Sequence, residues 1–238
     1  MIYHSVAQNT PEWIKLRLGI PCSSDFSKII TPKEMKLSKQ SKPLMYRLLA
    51  EWMTGEQVEN YESEYMARGH ELEDRAIMAY EMLTDTETQP GGFITTDDGM
   101  IGCSPDRLIG DNGDLEIKCP LVQTQIQYAL EGKIDEDYRA QLQGRLMIHG
   151  RDYVDIFSYH PRLSIPALRV VRDDKFIGEL SVMLKCFNDL MLEKRAELEK
   201  RVGPFLRPEP EPDHSGDFVS DEDVDAIIAS HKEREVAS

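Results

Sequence analysis

In the stretch GCSPDRLIGDNGDLEIKCP, residues 102–120, Asp106, Glu116 and Lys118 surround one tight turn. Two carboxylates can hold a hard cation, and a lysine beside them can orient or deprotonate a water. Side chains alternate along an extended strand, so Glu116 and Lys118 point one way while Leu115, Ile117 and Cys119 point the other. The apolar set predicts a core face, which leaves the acid and the lysine together on a surface or in a cleft. Whether Asp106 joins them depends on the turn. A two-residue Asn112-Gly113 turn pairs 106 with 119 and sends Asp106 to the wrong face. A three-residue loop with Gly113 in a left-handed conformation shifts the parity and brings Asp106 beside Glu116. The same D-x9-E-x-K spacing also suits an exposed hairpin with a surface Glu/Lys pair.

Two helical stretches carry further candidates. In ARGHELEDRAIMAYEML, helical spacing puts Glu73 on a face with Ala76, Ile77, Tyr80 and Leu83, whereas Glu71 falls with Asp74, Arg75 and Met78. Glu73 is thus carried inward, where a carboxylate needs a cation or an arginine partner. In YRAQLQGRL, Tyr138, Gln141 and Arg145 align at i, i+3, i+7. Taken alone, that row reads as a solvated face.

The elements that must position these groups follow from periodicity. Residues 42–52, 65–83, 134–149 and 176–198 read as helices, the last with Ile177, Leu180, Leu184, Phe187 and Met191 on its buried stripe. Residues 91–96, 100–104, 151–160 and 166–172 read as strands, and 106–119 as a hairpin. Helices, then strands, then a helix, strands and a helix predict an α/β domain with a mixed central sheet flanked by helices. That domain spans residues 1–203. From Pro204 onward the chain turns to alternating proline and acid, which is linker composition, and then to SDEDVDAIIAS, a short marginal helix in an acidic, flexible tail.

Composition sets the outer bounds. The 238 residues suffice for one sizeable core with an appendage. No run approaches the 18 apolar residues of a membrane span, and the start lacks the regions of a signal peptide, so the expected location is cytoplasmic with no membrane partner. Cys22, Cys103, Cys119 and Cys186 lack CxxC spacing, which argues for reduced thiols and against a zinc knuckle or an iron-sulfur cluster. A net charge of -15 counts against nucleic acid, yet ten acids against three bases in 204–238 supply about half of it. Carboxylates gathered for cations are neutralised when those bind.

Together these segments resemble the lambda-exonuclease or YqaJ-like viral recombinase branch of the PD-(D/E)xK nucleases, over about residues 13–202. CSPDRL...GDLEIKCP is similar to the nuclease core, and WIKLRLGIPCSS to the family's W-x-x-x-R-x-G followed by small hydroxyl residues. RGHELEDRA resembles its G-x-x-x-E helix, YRAQLQGRL its tyrosine-glutamine helix, and SYHPR its S/N-Y-D-P-R with His160 in place of aspartate. The resemblance implies a restriction-endonuclease-like fold and a Mg2+-dependent 5'-to-3' exonuclease that degrades one strand of linear duplex DNA and leaves 3' overhangs. It implies Asp106, Glu116 and the backbone carbonyl of Ile117 as ligands of one ion and Glu73 as completing a second, with Mn2+ able to substitute. Lys118 would activate the attacking water and Gln141 position it. Arg17, Ser24 and Ser104 fall on the 5'-phosphate pocket, Tyr138 and Met66 on DNA contacts. A further basic phosphate ligand, placed after the Lys-Cys-Pro in the family, has no match in LVQTQIQ. Double-stranded DNA ends, a single-strand-annealing protein and two more copies in a trimer are the implied partners. An endonuclease on the same core, or a catalytically silent DNA-end-binding adaptor, are the alternative readings.

Overall fold

The computed structural model describes residues 1–58, 64–133, 135 and 138–202. The chain runs through β1 (Ile2–His4), α1 (Pro11–Arg17), a 3-10 turn (Ser23–Asp25), α2 (Phe26–Ile29), β2 (Ile30–Thr31), β3 (Lys36–Leu37), α3 (Ser41–Thr54) and α4 (Glu64–Thr84). Then come β4 (Thr88–Pro90), β5 (Phe93–Thr95), β6 (Gly102–Cys103), β7 (Arg107–Ile109), β8 (Gly113–Lys118), α5 (Val122–Glu131) and α6 (Tyr138–His149). The order closes with β9 (Tyr153–His160), β10 (Leu163–Ser164), β11 (Leu168–Val171) and α7 (Asp174–Val202).

The central sheet has six strands in the order β10-β9-β8-β7-β4, with β11 pairing the first half of β9. Within this sheet, among the described residues, only β8 and β9 run parallel, joined by the α5–α6 crossover that a parallel pair requires. The sheet is therefore mixed, as the alternation of elements predicts. Its two faces bury different helices. Ala76 and Tyr80 of α4 pack on the Leu115, Ile117 and Phe157 face. Leu142 and Leu146 of α6 pack on Val154 and Ile156, on the face that Asp114 and Glu116 share. β8 is thus buried on both sides, and Glu116, expected on a surface or in a cleft, is only 3% exposed.

α7 buries the whole predicted stripe: Leu180, Leu184, Phe187 and Met191 in a core shared with α2, α3 and α6, and Ile177 against Leu142, Leu146, Val154 and Ile156. On α4 the stripe is narrower than expected. Leu72, Ala76 and Tyr80 are buried, while Leu83 turns outward and is exposed. The helix predicted over 134–149 is described over Tyr138–His149 only. Residues 204–238, including the tail helix expected there, lie outside the described residues.

Candidate active site

The β7–β8 hairpin decides whether the site exists. Ile109 pairs with Gly113 and Arg107 with Leu115, so the loop is the three residues Gly110, Asp111 and Asn112. Continuing that register by one step sets Asp106 opposite Glu116, on the same face. The parity is the one that makes a site, by a different glycine than expected. Gly110, at φ 49°, takes the left-handed position. Gly113 is needed for closeness instead: a Cβ there would lie 2.3 Å from the Tyr153 ring.

Around this pair the polar groups interlock. The Ile117 N–H donates to Asp106 Oδ2 at 2.6 Å. Burial pushes the Asp106 carboxyl above the ordinary carboxylate range, against the opposing pull of Arg145, the Ile117 amide and Lys118. Glu116 Oε1 accepts from Gln141 Nε2 at 2.8 Å and from Lys118 Nζ. The lysine's ammonium also lies 4.8 Å from the centre of the Tyr138 ring, so Tyr138 meets Lys118 directly. Tyr138 and Gln141 share one face of α6, which is how one helix steadies both the acid and the lysine.

Arg145, one further turn along α6, corrects the sequence reading. It lies on no solvated face: it is fully buried, bonded to Asp114, to the Leu115 carbonyl and to Glu116 Oε2. A guanidinium enters a core only against such partners. Asp114 and His149, which complete this cluster, are the residues that the sequence reading missed. Their signals were Asp114 at i, i+2 from Glu116 and His149 at i, i+4 from Arg145.

Asp106, Glu116 and the adjoining Ile117 backbone offer hard oxygen donors on one side of the hairpin, a donor set suited to Mg2+, which keeps its waters and takes one or two carboxylates. The raised ionisation range of Asp106 fits the same purpose, since a cation would relieve it. The residues fit one ion. Glu73 is half-buried on α4, which packs on the opposite face of β8, and among the described residues no three His, Cys, Asp or Glu gather closely enough to hold a metal. Met66 falls on α4, but its side chain lies outside what is described.

A second cluster lies two residues up the chain. Ser104 Oγ accepts from Trp13 Nε1 at 2.9 Å and from Arg17 Nη1 at 3.4 Å, and the Arg17 guanidinium stacks 4.0 Å over the Trp13 ring. Arg17 also lines a small cavity with Trp13, Asp25, Arg47 and Glu51. Ser24 lies exposed on the 3-10 turn, outside that lining. A parallel bridge between Cys22 and Gly102 runs the chain toward Ser24 and Ser104 in the same direction. Thr10 accepts from the Trp13 N–H and caps α1, fixing the helix that carries both Trp13 and Arg17.

A YqaJ-like viral recombinase domain matches residues 12–152, more than half of the sequence and all of the site just described. The chain belongs to the YqaJ-like viral recombinase family. Among solved structures, the family member is similar to an alkaline exonuclease from Laribacter hongkongensis at 30% identity and a TM-score of 0.74, covering 81% of this chain and 97% of that one. The same enzyme in complex with dAMP matches to the same degree. A phage-related exonuclease from Haemophilus somnus 129PT shares the fold at 16% identity and a TM-score of 0.58, covering 78% of this YqaJ-like chain and 99% of its own. Comparison with curated protein sequences gives no match. No helix among the described residues is long and apolar enough to cross a membrane.

Proposed function

We propose that this protein is a divalent-metal-dependent exonuclease that digests one strand of linear duplex DNA from its 5' end, leaving 3' overhangs for strand annealing. The observation that carries the reading is the placement of Asp106 opposite Glu116, with Lys118 on Glu116 and the Arg17–Ser104 pair two residues away. Two residues of extended chain span at most about 7 Å. A terminal phosphate held by Arg17 on Ser104 would then sit beside the segment that carries Asp106, which suits removal of nucleotides from an end.

Asp106, Glu116 and the Ile117 carbonyl would hold the cation, Mg2+ or Mn2+. When bound it polarises the scissile phosphate and neutralises charge that develops on it. Lys118, its ammonium having first given a proton to bulk water, takes the proton of the attacking water, while the departing 3' oxygen takes one from solvent; the contact with Tyr138 keeps the amine at the hairpin. Gln141 fixes the carboxylate of Glu116 while that happens. Arg17 grips the phosphate with a charge-assisted bond and Ser104 adds a hydroxyl. The likeness to an alkaline exonuclease supports the reading.

Digestion of duplex labelled at one 5' or one 3' end, with and without a 5'-phosphate and with and without Mg2+, tests it. Metal-dependent release of mononucleotide from phosphorylated 5' ends is the expected result. Cleavage of closed circular DNA points instead to an endonuclease, and binding of ends without cleavage to an adaptor. The same reading extends to a homotrimer and a single-strand-annealing partner, which sedimentation of the pure protein and co-purification test in turn.

A further inference from the structure

Glu116 is held at both oxygens, and the two holds differ in kind. On Oε1 sit Gln141 and the Lys118 ammonium, both on partly exposed side chains. The lysine is a long, flexible chain at the end of β8. On Oε2 sits Arg145, whose side chain has no exposed surface. Its guanidinium is also clamped on the far side: Nε lies 3.1 Å from Asp114 Oδ2, Nη2 2.8 Å from Asp114 Oδ1, and Nη2 donates to the Leu115 carbonyl at 3.1 Å. Asp114 is held in turn by His149 Nε2 at 2.6 Å, and His149 Nδ1 accepts the Arg151 N–H at 3.2 Å. Asp114 and His149 are themselves buried. The arginine has nowhere to withdraw.

We infer that Arg145, locked by Asp114 and His149, is a positioning residue that leaves Glu116 only Oε1, the oxygen that Gln141 also holds, for a cation and thereby biases the Asp106–Glu116 pair toward small octahedral cations and against Ca2+. The inference rests on the cation site proposed above. Its physical basis is the contrast between the ions. Ca2+ takes six to eight oxygens and draws carboxylates into two-oxygen contacts, while Mg2+ fills its shell with water and single carboxylate oxygens. A glutamate whose second oxygen is permanently occupied satisfies Mg2+ and leaves Ca2+ short of a ligand. Lys118 can swing aside from Oε1 as a cation arrives; Arg145 cannot leave Oε2.

The test is calorimetric titration of Mg2+ and of Ca2+ into the wild-type chain, into Arg145→Met, and into Arg145→Met combined with Asp114→Asn. The single variant strands Asp114 in the core and can fail to fold. The pair removes both charges together, a change that buried ion pairs often tolerate, while the amide oxygen introduced by Asp114→Asn still accepts from His149. A thermal melt identifies the folded variant. In it, the ratio of Ca2+ to Mg2+ affinity is expected to rise five-fold or more over wild type. A smaller rise overturns the inference and leaves Arg145 as a structural strut. Wild-type protein that binds neither ion and cuts no DNA overturns the proposed function itself; wild-type protein that binds Mg2+ and cuts, with an unmoved ratio in the variant, overturns this inference alone.

Discussion

The Tyr153 ring occupies the space that a side chain on Gly113 would fill, with three ring and hydroxyl atoms within 2.6 Å of a Cβ built there. The Arg169 guanidinium stacks on this ring at 3.7 Å while pairing with Asp155. This contact closes β9 onto the first residue of β8 and fixes where the hairpin loop ends. Gly113→Ala should therefore destabilise the protein by about 1–3 kcal/mol through overpacking. It should also depress nuclease activity, although no group of the site is touched. Gly110→Ala, which meets no atom within 4 Å, should cost only the left-handed backbone strain, roughly 1–2 kcal/mol. Thermal melts of both, with Tyr153→Ala added to Gly113→Ala, check the cause. Destabilisation that the ring's removal fails to reduce would point elsewhere.

Lys118→Ala should lower turnover by on the order of 10²-fold or more, the effect of losing a proton-transfer group. Calorimetric Mg2+ binding should survive in that variant. Asp106→Asn should do the reverse of the second part: it should abolish Mg2+ binding as well as turnover. It should leave metal-free stability unchanged or higher, since burial already disfavours the Asp106 carboxylate. Near-normal turnover in Lys118→Ala, or intact Mg2+ binding in Asp106→Asn, defeats the assignment of that residue.

How much of this was legible in the sequence depends on whether burial and hydrophobicity agree. On α7 they do, and periodicity alone places all five residues of the buried stripe. On α5 they are inverted. Val122, Ile126 and Leu130 are exposed, while the buried residues are Tyr128 and Gln125, the latter donating to the carbonyls of Ser158 and Leu163 and accepting from the Ser158 hydroxyl. A helix that buries an amide and exposes its apolar row cannot be found from hydrophobic spacing, and the sequence reading has none over 122–131. Arg145 fails for a related reason. Its partners Asp114 and Glu116 lie about 30 residues earlier, and only the parallel pairing of β8 with β9 brings α6 across their face. The hairpin is the intermediate case: residue spacing allows two registers, and the packing of Gly113 on Tyr153 accompanies the one adopted.

Arg17→Ala should erase the preference for 5'-phosphorylated over 5'-hydroxyl duplex more than it slows the basal rate. The guanidinium already donates to Ser104 and stacks on Trp13, so its direction is set before any phosphate arrives. A charge-assisted bond to a terminal phosphate contributes about 1.5–3 kcal/mol, or roughly 10- to 150-fold in discrimination. Equal digestion of both ends by the unmodified protein would remove the pocket from the account.

His149 should make stability depend on pH below neutrality. Burial, first, lowers its ionisation below the ordinary 6.5; Asp114 opposes that shift, and Arg145 and Arg151 reinforce it. The hydrogen bonds agree with a neutral ring, because Nδ1 accepts the Arg151 N–H and so leaves the proton on Nε2, facing Asp114. Between the lowered native value and 6.5 the unfolded chain binds the proton and the native chain does not. The unfolded state is then favoured as pH falls, so this contribution is fully present above about 6.5 and is lost below it, by at most about 1.4 kcal/mol per pH unit. His149→Gln keeps a donor toward Asp114 and removes the titrating ring. Its melting temperature should fall less than that of the wild type between pH 7.5 and pH 5.5, although it starts lower because a flexible amide fills the ring's place less well. Parallel curves for the two proteins across that range would show that His149 takes up its proton without cost, and the neutral ring behind Arg145 would have to be given up.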